Sequence, residues 1–158
     1  MKALYISIFV LGSLLSNAQS SLYDKLNSFL SNQTKEIVSN RLIAINVWSA
    51  NDKNSRDLNV EFERAYSTYD YAKLKGGNGG IIVLNINLDN DVVNSDIILK
   101  KDGINKLIKV PSDNSEIIKE LSGKSAGYNI VFDANGNVVY ENLTPANAFE
   151  SIHQLITR

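Results

Sequence analysis

Leu42-Ile43-Ala44-Ile45-Asn46-Val47-Trp48 is short, apolar almost throughout, and broken by one asparagine. A strand buried on both faces looks like this, because it must present apolar side chains to layers above and below. Ile81-Ile82-Val83-Leu84-Asn85-Ile86-Asn87-Leu88 repeats the pattern and predicts a second such strand. Between them lie a polar loop, Ser49 to Asn54, and a helical pattern from about Ser55 to Tyr69. Leu58, Phe62, Ala65, Tyr66 and Tyr69 form the apolar face of that helix. Gly76-Gly77-Asn78-Gly79-Gly80 reads as a flexible connector into the second strand.

Upstream, Leu22, Leu26, Phe29 and Leu30 fall on one stripe and predict a helix over 20–32, with Ser20 or Ser21 as its cap. Downstream, a helix is expected over 91–101, a short extended piece over 106–110, and one or two helical turns from Ser115 to Leu121. Asn129-Ile130-Val131-Phe132 and Asn137-Val138-Val139-Tyr140 flank Asp133-Ala134-Asn135-Gly136. Two β runs around a turn that ends in glycine predict a hairpin. Thr144-Pro145 opens a last helix, with Phe149, Ile152 and Ile156 toward the core. The order α-β-α-β-α-β-β-α implies an α/β fold. Its central mixed sheet has parallel strands joined by right-handed crossovers, one antiparallel edge strand from the hairpin, and helices on both faces.

The first 18 residues are expected to be a signal peptide. Lys2 precedes an apolar run from Ala3 to Leu15, and Ser16-Asn17-Ala18 supplies small residues for a cut after Ala18. The run is shorter than the ~20 residues of a membrane-spanning helix. Residues 19–158 are then one exported domain with no membrane insertion, periplasmic or extracellular in a bacterial cell. The chain has no cysteine, so it holds neither a disulfide nor a thiolate nucleophile. A formal net charge of −1 argues against a surface for nucleic acid or anionic membrane driven by bulk charge.

The element order resembles the thioredoxin fold, and the segment Leu42 to Ala50 resembles the strand before the active site in the TlpA/ResA family. In that family an Asn-Phe-Trp-Ala segment leads to Cys-x-x-Cys-Arg. The same count from Trp48 places Asp52-Lys53-Asn54-Ser55 on the Cys-x-x-Cys positions and Arg56 on the arginine. Asn129 to Gly136 resembles the family hairpin. Three departures follow. Asp52 and Ser55 replace the two cysteines, and a carboxylate cannot exchange disulfides. Counting back from Asp133, Gly127 stands where the family has a cis-proline that shapes the substrate groove. Val60 replaces the proline that often kinks the active-site helix. The resemblance thus implies the scaffold without its redox chemistry.

Asp52 is read either as an acid/base or partner-contact group or as the cap of the following helix; one hydrogen bond suffices for the cap, which is preferred. Asp89, Asp91, Asn94 and Asp96 lack the glycine and glutamate of a calcium loop and are read as a strand end and a helix cap. The Gly76–Gly80 cluster runs from helix to strand and lacks the Lys-Ser/Thr of a phosphate loop. His153 is the only histidine and is read as a helix-flank residue. No cofactor or metal is expected. Trp48, Asp52 and Tyr128, if they converge at one end of the sheet, would form an amphipathic patch with Lys53, Asn54, Ser55 and Gly127; a packed Trp48 is the equal alternative. The expected role is a protein- or peptide-binding module with an envelope partner. The alternatives are a structural subunit of an envelope assembly, or an enzyme whose non-thiol chemistry uses Asp52 or the carboxylates Asp89 and Asp91.

Overall fold

The computed structural model describes residues 22–34, 40–70 and 79–156. The expected signal peptide, Ser20, Ser21 and residues 76–78 of the connector lie outside them. Leu42–Trp48 forms strand β1, and all seven of its residues are buried. It is the middle strand of a five-stranded sheet of order β3-β2-β1-β4-β5. Here β2 is Ile81–Asn87, β3 Ile108–Lys109, β4 Asn129–Phe132 and β5 Val138–Glu141. The helices are α1 over 22–29, running into a π-helical turn at Leu30–Thr34, then α2 Lys53–Tyr69, α3 Val92–Lys101, α4 Ser115–Glu120 and α5 Ala148–Gln154.

The two-fold period of β1 sends its side chains to two cores. Leu42, Ala44 and Trp48 pack with Leu58, Phe62 and Ala65 of α2 and Ile152 of α5. Ile43, Ile45 and Val47 pack with Leu22, Leu26 and Leu30 near the N-terminus and Ile117 of α4. Each fully buried aliphatic side chain contributes about 1.5–3 kcal/mol. The strand can therefore bury Asn46, provided that the amide is hydrogen-bonded.

β1 pairs in parallel with β2, from Leu42 opposite Ile81 to Trp48 opposite Asn87, and β2 pairs in parallel with β3. The expected antiparallel edge strand is present as β5, and the inner hairpin strand is antiparallel to its neighbours as well. β4 runs antiparallel to β1, and edge strand β5 runs antiparallel to β4. Burial explains the placement: all four β4 residues are buried, whereas those of β5 are half-buried or exposed. The more apolar half of the hairpin takes the inner position.

Gly79 and Gly80 also depart from the flexible-connector reading. A Cβ on Gly80 would lie 1.7 Å from the Asp70 carbonyl oxygen, and one on Gly79 would lie 1.8 Å from that of Asn40. Leu42 N–H donates to the Gly80 carbonyl at 2.9 Å. These glycines are required by backbones that cross in contact.

Candidate functional site

The segment on the family's thiol positions is built around the start of α2. Asp52 is its cap, its Oδ1 accepting from Ser55 N–H at 2.7 Å. Ser55 is fully buried. Its hydroxyl accepts from Ser49 N–H at 3.2 Å and donates to the Asp52 carbonyl at 3.0 Å. Both residues that the resemblance aligns with thiols are thus engaged in closing one helical turn. Lys53 and Asn54 are exposed, and Lys53 pairs with Asp57 one turn on. Arg56 makes a two-pronged bond to Asp102, Nε to Oδ2 at 2.7 Å and Nη2 to Oδ1 at 2.6 Å. The guanidinium holds the Asp102 carboxyl below the usual range, and the same bond raises Arg56.

The structure brings the loop before the hairpin to this turn. Gly127 N–H donates to the Val47 carbonyl at 2.8 Å, and Val47 N–H donates to the Tyr128 carbonyl at 2.9 Å. A Cβ on Gly127 would lie 3.2 Å from Asn54 Nδ2. So Asn54 and Gly127 face each other, as the family resemblance implies. Among the described residues no peptide bond is cis, and Gly127 has φ +91°.

Of the two readings of Trp48, converging patch or packed ring, the burial of Trp48 fits the packed one. Trp48 is fully buried in the α2/α5 core, while Tyr128 packs with the α1/α4 core. Trp48 shares the β1 face that α2 covers, so its ring is taken up by packing. Tyr128 is half-buried, with Lys124 Nζ 4.1 Å from its ring centroid. Burial, then the hydrogen bond to Glu141 and its charge, push the Tyr128 phenol up, so it stays protonated near neutral pH.

A row of buried asparagines crosses the sheet here. Asn46 stands opposite both Asn85 of β2 and Asn129 of β4. Asn46 Nδ2 donates to the Ser55 carbonyl at 2.9 Å and to Asn59 Oδ1 at 2.8 Å, and Asn85 Nδ2 reaches the same Asn59 Oδ1 at 3.2 Å. Asn129 accepts from Leu143 N–H and donates to the Leu143 and Gly127 carbonyls, each at 2.9 Å. The row thus ties α2 and the Gly127 loop to the sheet. Its signal in the sequence is an asparagine inside the β1 and β2 apolar runs and another at the start of the β4 run. Only the pairing register shows that they align.

The other candidate residues have structural partners. Asp91 caps α3 through Asn94 N–H at 3.0 Å. Asp89 accepts from Ser49 Oγ at 2.7 Å, Ala50 N–H at 2.6 Å and Ser95 Oγ at 3.0 Å, locking the loop after β1 to α3. Burial alone would raise its carboxyl; the bonds from Ala50, Ser49 and Ser95 outweigh that and hold it low. His153 Nδ1 is hydrogen-bonded to the Tyr69 hydroxyl at 2.6 Å. Among the described residues no cluster of three or more His, Cys, Asp or Glu could hold a metal ion. None of their helices is long and apolar enough to cross a membrane.

No protein-family model matches the sequence, and no curated protein matches it. Solved structures do. The thioredoxin domain of a thiol-disulfide oxidoreductase from Bacteroides vulgatus superposes with TM-score 0.61 at 11% identity, covering 76% of this chain and 82% of that one. A secreted disulfide oxidoreductase of Mycobacterium tuberculosis gives 0.58 at 10%, covering 75% and 84%. StoA from Bacillus subtilis gives 0.53 at 11%, covering 72% and 83%. The fold of this chain is thioredoxin-like, in a sequence without a cysteine to carry thiol-disulfide exchange.

Proposed function

We propose that the protein is an exported, redox-inactive thioredoxin-like domain that binds a protein or peptide partner of the cell envelope. The contact surface is the end of the sheet where the first turn of α2 meets the loop before the hairpin. One observation carries this reading: Gly127 stands against Asn54, tied to β1 by backbone bonds, although both cysteines and the proline are absent. The loop and the helix turn keep this juxtaposition in a chain without the thiol chemistry. The apolar start of the chain and the secreted neighbour of the same fold support export.

The test is affinity capture from the source cell's envelope extract, with a Lys53→Glu/Asn54→Arg variant beside the normal protein. Both side chains are exposed, so the fold tolerates the changes within about 0.5 kcal/mol each. A saturable partner held by the normal protein and lost by the variant supports the reading. A partner held equally by both moves the interface away and favours the assembly-subunit role. Failure to capture any saturable partner removes the reading.

A further inference from the structure

A cleft of about 440 Å³ opens beside β1, on the β2 side and away from the Asn54–Gly127 contact. That volume lies within the ~300–1,000 Å³ of small-molecule sites. It sits at the carboxyl ends of the parallel strands β1, β2 and β3. Trp48, Leu99, Val110, Pro111 and Val92 supply its apolar wall. Trp48 Nε1 is buried with no acceptor among the described residues.

Charge around the cleft is one-sided. Asp89, Asp96 and Asp113 line it against one lysine, Lys109, and Lys109 is paired with Asp96 at 2.6 Å. Asp89 stays ionised because three donors hold its carboxylate. Among the described residues, Lys109 is the one cation lining the cleft and it is engaged by Asp96, not by Asp89 or Asp113. An anion entering would meet both carboxylates, while an ammonium would be attracted by them.

We propose that this cleft binds small amphipathic amines, with the apolar body against Trp48, Leu99 and Val110 and the ammonium among the carboxylates. This site is separate from the partner surface at Lys53 and Asn54, and either can fail without the other.

Trp48 is the only tryptophan, so one indole N–H resonance reports on the cleft wall. The purified protein is titrated with tyramine, and in parallel with phloretate, which replaces the ammonium by a carboxylate on the same phenol. Isotope-edited NMR follows the indole signal. Tyramine is expected to shift it saturably and to bind at least tenfold more tightly than phloretate. Val92 is half-exposed at the cleft, so Val92→Arg blocks and repels the amine while the remaining amide spectrum reports an intact fold. Asp113→Lys, at an exposed site, weakens tyramine and strengthens phloretate. No saturable shift, equal binding of the two probes, or undiminished tyramine binding by folded Val92→Arg would each overturn the proposal.

Discussion

At Gly80 the Asp70 carbonyl oxygen and carbon stand 1.7 Å and 2.3 Å from the site of a Cβ, and both are backbone. No side-chain rotation relieves the contact. Gly80→Ala is expected to lose at least about 3 kcal/mol, beyond ordinary overpacking. A lowered urea midpoint at unchanged slope would show it. Gly127 tests the family resemblance directly. Its φ of +91° and its bond to Val47 both exclude proline, which fixes φ near −65° and has no N–H. Gly127→Pro is therefore expected to cost about 3 kcal/mol or more. Gly127→Ala meets only the end of the Asn54 side chain and costs about 1–2 kcal/mol of left-handed strain. Asp52→Ala removes a helix cap, at about 1 kcal/mol. If partner capture survives that change while the thermal midpoint falls, Asp52 is a cap alone.

Among the elements, the sheet and α2 are joined through amides as well as apolar packing. Asn129 makes three bonds with the chain on either side of the hairpin. Asn129→Ala would leave the Leu143 N–H and two carbonyls without that partner, and the expected loss is about 2–3 kcal/mol. Asn46 and Asn59 behave differently. Each has one buried atom already without a partner among the described residues, Asn46 Oδ1 and Asn59 Nδ2. Removing either amide strands the groups it served, whereas removing both takes donor and acceptor together. Asn46→Val with Asn59→Leu should cost less than the sum of the single changes, as a double-mutant cycle on folding free energy would measure. The three strand asparagines were visible in the sequence, two as interruptions of apolar runs and Asn129 at the head of one. Their alignment was not, because register depends on pairing between segments far apart in the chain.

Across the whole molecule, acid sensitivity follows from three carboxylates. Asp102 is held low by the Arg56 guanidinium. Burial opposes the shift at Asp89 and Asp133, but hydrogen bonds prevail, from Ala50, Ser49 and Ser95 in the first case and chiefly from Asn137 in the second. Each binds its proton more weakly folded than unfolded. Their contribution to stability is therefore present above the ordinary value of 3.8 and is lost as pH falls through the lower folded values. Thermal midpoints should stay level from neutral pH to about pH 4 and decline below it. Asp102→Asn should lower the neutral plateau by about 1 kcal/mol, since the pair is partly open to water, and flatten the acid limb.

The sequence alone determined the elements and the missing chemistry. Apolar runs and helical stripes depend on local period, so β1, β2, α2, α3 and the hairpin were all legible near their observed bounds. The lack of cysteine is a covalent fact and needs no fold. Only the tertiary structure decided which way β4 lies, that Trp48 faces α2 instead of solvent, that Gly79 and Gly80 sit where backbones cross, and that Asp89 joins two loops. Each of these depends on the approach of chain segments distant in sequence, and no local pattern records which segment a residue will meet.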